Sequence, residues 1–510
     1  MNLAEQMLGS AALARHGGRI ALRCEHASVR YAQLAEEVRR AGAAFRALGV
    51  KPGERVLLLL RDTPQYVAAW LGAVHAGAVA VGLNTRLSEA EYRHVCADSV
   101  ARVSLVEDCF VKARPDLAAE FVTGGRLVVA GDSQGALSWR ELLSRVSPEE
   151  PPHPSAPDDP AFWLYSSGTT GKPKGIIHAH KDVRQAGQVY RETLGLAPGD
   201  KVFVTSKLFF AYALDHGLLG PLAHGLTCVL HPDWPEIDDA IELVARERPA
   251  LFASVPSFYR RLASLSDEAL EPFRTVRHFL SGGERIPEPL AERWKRVTGG
   301  ELLSIYGMSE TFCVCMVTPR GLPGLARPGK PLPGVEVRLV TDSGSEAGVG
   351  EPGVLWVKHP ALTSGYANLP QKTAEVFRDG WFCTHDVFVR DAEGLYTHQG
   401  RSDELLKVAG QYVQPAEIEQ ALAGEPLIGE VACVPVLDAD GFDRLALFVT
   451  ARGDVAAAIA AARQSCEAKL PRFKRPKWVL SVPEIPRTAT GKVQRFRLKE
   501  LMARELGTKG

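Results

Sequence analysis

The sequence predicts an α/β protein in which helices cover parallel sheets, and three observations carry that expectation. From Tyr31 to Val106, stretches of helical periodicity alternate with short apolar runs of strand length, the pattern of parallel sheets flanked by helices. After Arg327 the texture changes to short β-rich segments divided by Pro-Gly and Asp-Gly turns, as in a small β subdomain. Past Gly400 the order helix, strand, strand, helix points to a separate small α+β domain.

Apolar residues recur at helical spacing between Tyr31 and Leu48 until Lys51-Pro52-Gly53 breaks the pattern, and Val56 to Leu60 follow as a buried strand. Gln65 to Ala76 and Glu89 to Ala97 then read as helices, and Ala78 to Leu83 and Ala101 to Val106 as strands. Residues 147–160, SPEEPPHPSAPDDP, are rich in proline and acid and form a surface connector. Ala161 to Tyr165 is a strand, and a second α/β stretch runs from Lys201 to Gly307. The β-rich segments are VEVRLV, GVLWV, GWFCTHDVFV and GLYTHQG. The last part holds a helix at Pro415 to Ala423, strands at Val431 to Val436 and Leu445 to Thr450, a helix at Ala456 to Leu470, and a basic tail.

At 510 residues the chain exceeds one ordinary core. Sixty basic against sixty acidic side chains give no net charge, which argues against a whole-molecule draw to nucleic acid or anionic membrane. Nine scattered cysteines without a CxxC pair suit free thiols in a reducing compartment; Cys313 and Cys315 read as buried strand residues, since no second pair stands nearby to complete a metal site. The start carries Glu5 and no continuous apolar core, and no apolar run reaches about 18 residues. A cytoplasmic protein is expected.

The segment YSSGTTGKPKG, residues 165–175, sets small residues and paired hydroxyls directly after a strand, with two lysines near its end. Such a loop lets backbone N–H groups, hydroxyls and ammonium groups approach phosphates. It is not a Walker loop, because Gly171-Lys172 is followed by Pro173. The string SSGTTGKPKG, with His178 close behind, resembles the phosphate loop of the adenylate-forming acyl-CoA synthetase and luciferase superfamily. Further motifs of that superfamily follow in order: SGGERIP at 281–287, YGMSE at 306–310, CTHD ending at Asp386, GRSDELLKVAGQYVQPAEIE at 400–419 and PRTATGKVQR at 486–495.

The resemblance implies adenylation of a carboxylate by ATP, then transfer of the acyl group to the thiol of coenzyme A. It implies a large N-terminal domain, residues 1–400, with two α/β subdomains and a small β subdomain, a hinge at 401–404, and a mobile α+β C-terminal domain at 405–510. Ser167, Gly168, Thr169, Thr170 and Lys174 would then cradle phosphates, with Thr169 counted as catalytic. Glu310 offers the hard oxygen that magnesium prefers when it also binds phosphates. Gly283, Glu284, Tyr306 and Gly307 would flank the adenine, and Asp386 with Arg401 would hold the ribose. Lys492 resembles the catalytic lysine that meets the α-phosphate and carboxylate oxygens, and Asp403 resembles the hinge about which the C-terminal domain turns between the two half-reactions. In LPRFKRPK, residues 470–477, Phe473, Arg475 and Lys477 match the group that holds the nucleotide end of coenzyme A.

KLFFAYALDHG, residues 207–217, closely resembles the acyl-pocket segment of the benzoate-CoA ligase subgroup, an aryl-CoA ligase group. By that pattern Phe210 gates the pocket, Ala211 and Tyr212 face a flat ring, and Gly282 and Met308 line it. The chain departs from that subgroup at YGMSETFCVCMV and at Asp215-His216, which points past plain benzoate: a hydroxyl or amino substituent would be met by His216 or Tyr212. The implied partners are a small aromatic carboxylic acid, ATP, Mg2+ and coenzyme A. Loading of a carrier-protein pantetheine and, from another class, a catalytically silent nucleotide-binding protein stay open at this point, as does the oligomeric state, a homodimer included.

Overall fold

The computed structural model spans residues 1–510 and describes all of them except 123–124, 134, 168–171, 284–285, 322–328, 403–405, 409–410, 414, 423, 439–442, 488–492 and 506–510. Two compact units emerge, one formed by Met1–Val337 with Val357–Phe382, the other by Arg338–Trp356 with Cys383–Gly510. Among the described residues no helix is long and apolar enough to cross a membrane.

The first unit is mixed α/β, as expected, and is built on two large sheets. One runs in the order Gly365–Tyr366, Pro173–Ala179, Pro160–Ser167, Val79–Gly82, Arg55–Leu59, Val103–Glu107, Arg126–Ala130, Leu137–Ser138. It is parallel except at Pro173–Ala179 and Gly365–Tyr366, which join its edge antiparallel. The other has a parallel centre, Leu302–Gly307, His278–Ser281, Leu251–Ser254, Lys201–Val204, Thr227–Leu230 and Ile20–Cys24, with antiparallel strands at both edges.

The central strands are buried on both faces, so they read as unbroken apolar runs such as Val56-Leu57-Leu58-Leu59. Helix Pro64–His75 begins with Thr63 accepting the Tyr66 N–H at 3.3 Å and Pro64 in its first turn. It packs tightly on helix Tyr31–Ala47, since a Cβ on Gly72 would lie 2.5 Å from that of Ala41. The connector 147–160 holds no strand or helix before Pro160.

A smaller sheet of Glu336–Val340, Pro352–Lys358, Trp381–Arg390, Phe377–Arg378 and Tyr396–Arg401 accounts for the β-rich stretch. The C-terminal α+β domain is carried by strands Ile428–Leu437, Asp443–Ala451 and Trp478–Ser481. Alternation divides their side chains. Cys433, Leu445, Leu447 and Val449 share a core with Ile418 and Cys466 of helices Pro415–Ala421 and Val455–Lys469, while Ala432, Val434, Ala446 and Phe448 pack with Leu498 and Met502. Those last two sit on helix Arg495–Glu505, so part of the expected basic tail is a helix whose i, i+4 apolar pair closes the second face of the sheet.

Candidate active site

Strands Pro160–Ser167 and Pro173–Ala179 form a hairpin in which Ser167 pairs with Pro173. Gly168, Thr169 and Thr170 lie outside the described residues, and of Ser167 only the backbone is described. Lys174 pairs with Ser166 at the loop end of the hairpin, and its ammonium donates to Glu310 Oε1 at 2.8 Å. The same oxygen accepts the Tyr366 hydroxyl at 2.9 Å, and the Lys174 ammonium lies 4.1 Å from the Tyr366 ring centroid. Strand register explains this convergence: Tyr366 pairs with Ile176, so the side chains of Tyr366 and Lys174 rise on one face of the sheet.

Burial alone would push the Glu310 carboxyl upward, but the Lys174 ammonium and the Tyr366 hydroxyl outweigh it and hold the group below the ordinary carboxylate value. Both side-chain donors converge on Oε1, which leaves Oε2 without a side-chain donor among the described residues. Among the described residues no three His, Cys, Asp or Glu side chains gather to hold a metal. Magnesium does not need such a cage when substrate phosphates complete its shell.

Tyr306 and Gly307 end strand Leu302–Gly307, and Met308 opens the turn that carries Glu310. Gly283 has φ +90, a conformation that favours glycine, and Glu284 lies outside the described residues. A Cβ on Gly282 would come within 3.0 Å of Ile305 Cγ1 and 3.4 Å of Tyr212 Cε2, so the backbone at Gly282 passes directly against Tyr212 of the segment KLFFAYALDHG.

That segment is held at its start by a buried ion pair. Lys207 Nζ lies 3.1 Å from Asp62 Oδ2 and donates to the carbonyls of His231, Pro232 and Asp233 at 2.6, 3.1 and 2.8 Å, so the cation is fully partnered. Phe210 caps the short helix Ala211–Ala213 and packs with Phe209 and Trp234 at centroid distances of 4.6 and 6.2 Å. Ala211 is buried, and Tyr212 directs its hydroxyl to the carbonyls of Ser254 and Leu280 at 3.2 and 3.4 Å.

His216 is not a helix cap. It sits inside the π-helical turn Leu214–Leu219, and Tyr190 lies on a second such turn, Tyr190–Leu194; π-turns of this kind recur at functional sites. Tyr190 gives its one hydroxyl proton to the His216 carbonyl at 2.6 Å, so its oxygen acts only as acceptor toward His216 Nδ1 at 3.4 Å. That contact requires the tautomer with its proton on Nδ1, which leaves Nε2 a lone pair, and no hydrogen bond to Nε2 is found among the described residues. Burial lowers this imidazole to about 3 and raises the neighbouring Asp215 carboxyl to about 7, with one Gly187 N–H opposing the latter. The Tyr212 ring stands edge-on to the imidazole at 5.1 Å.

In the second unit Asp386 and Arg401 are direct cross-strand partners, with Arg401 Nη1 4.0 Å and His398 Nε2 3.3 Å from Asp386 Oδ1. Phe473 packs against the core of the C-terminal domain. Arg475 donates to the carbonyls of Leu470 and Glu467, and Lys477 meets Asp438 Oδ2 at 2.9 Å. Asp403 and Lys492 lie outside the described residues. Cys313 and Cys315 are buried free thiols.

Sequence reading misses Tyr366, Asp62 and Lys207. Lys207 opens the acyl segment, but no periodicity marks it or Asp62 as an ion pair, and Tyr366 reaches Glu310 only because Gly365–Tyr366 pairs with Pro173–Ala179. The one available signal was Lys207 itself, a cation inside an otherwise apolar run.

The profile described as AMP-binding enzyme matches residues 10–367, and that described as AMP-binding enzyme C-terminal domain matches residues 417–492. The chain is 40% identical over 507 residues to a 3-hydroxybenzoate–CoA ligase of Aromatoleum sp. (strain CIB), covering 98% of this chain and 97% of that one. It is 36% identical over 509 residues to a 3-hydroxybenzoate–CoA/4-hydroxybenzoate–CoA ligase of Thauera aromatica, at 98% and 97% coverage. Among solved structures, the anthranilate CoA ligase AuaEII in complex with anthranoyl-AMP superposes with a TM-score of 0.90 at 31% identity, over 99% of this chain and 98% of that one.

Proposed function

This chain belongs to the AMP-binding enzyme family as an AMP-forming acid–CoA ligase of the aryl-CoA ligase group, and on that footing we propose that it activates a hydroxybenzoate. The observation that carries the choice is His216: a buried neutral imidazole beside the Tyr212 ring, which itself touches Gly282, with an Nε2 acceptor that has no partner among the described residues. A ring hydroxyl has the proton that this nitrogen lacks. Benzoate would leave the acceptor unsatisfied, a cost of about 1–3 kcal/mol. The hydroxybenzoate ligases among the relatives support the same reading.

In this reading Phe210, Ala211, Tyr212, Gly282 and Met308 enclose the ring, and Ser167, Gly168, Thr169, Thr170 and Lys174 receive the phosphates of ATP. Glu310 offers its oxygen to Mg2+, which when bound neutralises phosphate charge as pyrophosphate departs. Gly283, Glu284, Tyr306 and Gly307 flank the adenine, and Asp386 and Arg401 take the ribose. Lys492 supplies the cation for charge developing between carboxylate and α-phosphate. Residues 1–400 act as the adenylation domain and 405–510 as the domain that turns about Asp403, bringing Phe473, Arg475 and Lys477 to coenzyme A.

The test is to mix the protein with ATP, magnesium and a panel of benzoates, cinnamates and short fatty acids, with and without coenzyme A, and to identify products by mass spectrometry. AMP and a hydroxybenzoyl-CoA, formed faster than benzoyl-CoA or aminobenzoyl-CoA, support the proposal. A preference for benzoate sinks it, and adenylate without thioester would direct attention to a carrier protein.

A further inference from the structure

On the strand that carries Lys174, His178 is completely buried and reaches the turn bearing Glu310 from the opposite end. Its Nε2 lies 2.7 Å from the Ser309 carbonyl oxygen and its Nδ1 2.9 Å from Asp182 Oδ2. A carbonyl only accepts, so Nε2 carries a proton and donates it to Ser309. Asp182 is fixed in turn by the Ala179 N–H at 3.0 Å. The imidazole stacks on Phe162 at 5.0 Å with an interplanar angle of 19°, and Phe312 packs beside it at 5.7 Å.

The turn needs such holding. Phe312 has φ +56, a left-handed conformation that costs a bulky residue about 1–3 kcal/mol. Among the described residues the Ser309 carbonyl otherwise accepts only the Phe312 N–H, at 3.3 Å, so loss of the imidazole leaves a half-buried acceptor with one long bond. Thr363 N–H secures the Glu310 carbonyl at 2.8 Å. Residues four apart on a strand project from one face: Lys174 grips the Glu310 carboxylate while His178 grips the carbonyl just before it.

We propose that His178 is a positioning residue for Glu310, acting through the Ser309 carbonyl to set the carboxylate where it meets the magnesium ion of Mg·ATP. The inference rests on the reading that Glu310 serves that ion. Asp182 orients the ring and thus has the same role at one remove.

The test is a calorimetric titration of the full-length protein with a non-hydrolysable ATP analogue, with and without magnesium, for the wild type, His178→Ala, His178→Gln and Glu310→Gln. Adenylation, followed by ATP–pyrophosphate exchange, and thioester formation from a preformed adenylate are measured in parallel. In His178→Ala the gain in affinity from magnesium falls about tenfold, as loss of a supporting hydrogen bond to a metal ligand commonly does. Its adenylation slows by a similar factor, thioester formation stays within about twofold, and His178→Gln, whose amide N–H reaches the same carbonyl, recovers most of the loss. If His178→Ala keeps the full gain while Glu310→Gln loses it, the inference fails and the reading of Glu310 stands. If Glu310→Gln keeps the gain, that reading fails and takes the inference with it. Equal loss of both half-reactions without recovery in the Gln variant means general damage and overturns the proposal. Should His178→Ala not fold, Asp182→Asn carries the same comparison.

Discussion

Two buried polar regions of the first unit solve the problem of desolvation in opposite ways. Around Glu310 the charge is kept: Lys174 and Tyr366 converge on one oxygen, and the carboxyl sits below its ordinary value despite burial. Around His216 burial works against charge: among the described residues neither Asp215 nor His216 has an ionic partner, and burial pushes the carboxyl up to about 7 and the imidazole down to about 3. In the function proposed above the first region meets polyphosphate and a cation, which call for ionised groups, and the second meets a flat ring, which neutral donors and acceptors serve. One chain thus holds both environments in a single unit, separated by which groups were given counter-charges.

Removing the charge on the first side should have the largest effect. Glu310→Gln is expected to slow adenylation on the order of 10²–10³-fold, measured by ATP–pyrophosphate exchange, while thioester formation from a preformed adenylate survives. Lys174→Met should convert the first region into a copy of the second, leaving a buried carboxylate without its cation. A stability loss of about 2 kcal/mol is expected, below the range for fully buried pairs because both side chains keep some exposure. The sign follows from the depressed carboxyl. In the wild type its contribution is present above the unfolded carboxylate value and is lost as pH falls through the lower folded one. In Lys174→Met burial dominates, so urea midpoints should fall on going from pH 4 to pH 7 relative to the wild type.

On the second side, His216→Phe should lower kcat/KM for the hydroxybenzoate relative to benzoate by about tenfold, the worth of one buried hydrogen bond. An unchanged ratio would remove the imidazole from substrate recognition. Asp215→Asn tests the neutral pair itself. With the carboxyl raised from 3.8 to about 7, the folded state retains a proton that the unfolded chain releases, so this group lowers stability as pH climbs through that window. His216, lowered from 6.5 to about 3, has the reverse slope over much of the same range. The two oppose each other in the wild type. Asp215→Asn should therefore unmask a rise in unfolding free energy from pH 4 to pH 6.5, on the order of 1 kcal/mol, and a flat difference curve would refute the paired titration.

The α/β class and the order of the elements were legible along the chain, because they depend on local periodicity, and the strings that nominate the candidate site are short motifs. Apolar runs of strand length, the break at Lys51-Pro52-Gly53 and the strings around Lys174, Tyr306 and Glu310 are contiguous, and a contiguous signal survives without coordinates. Helix Arg495–Glu505 was obscured because its apolar side is only two residues wide among many cations. What the tertiary structure alone decided is pairing between distant segments. Tyr366 meets Glu310 through strand register, Lys207 meets Asp62 across 145 positions, and the His216 acceptor is exposed as such only when Tyr190 is seen to have spent its proton on a backbone carbonyl. Charge state followed the same rule: residue type sets which groups can ionise, but burial and the nearest counter-charge, both products of long-range packing, determine which of them do.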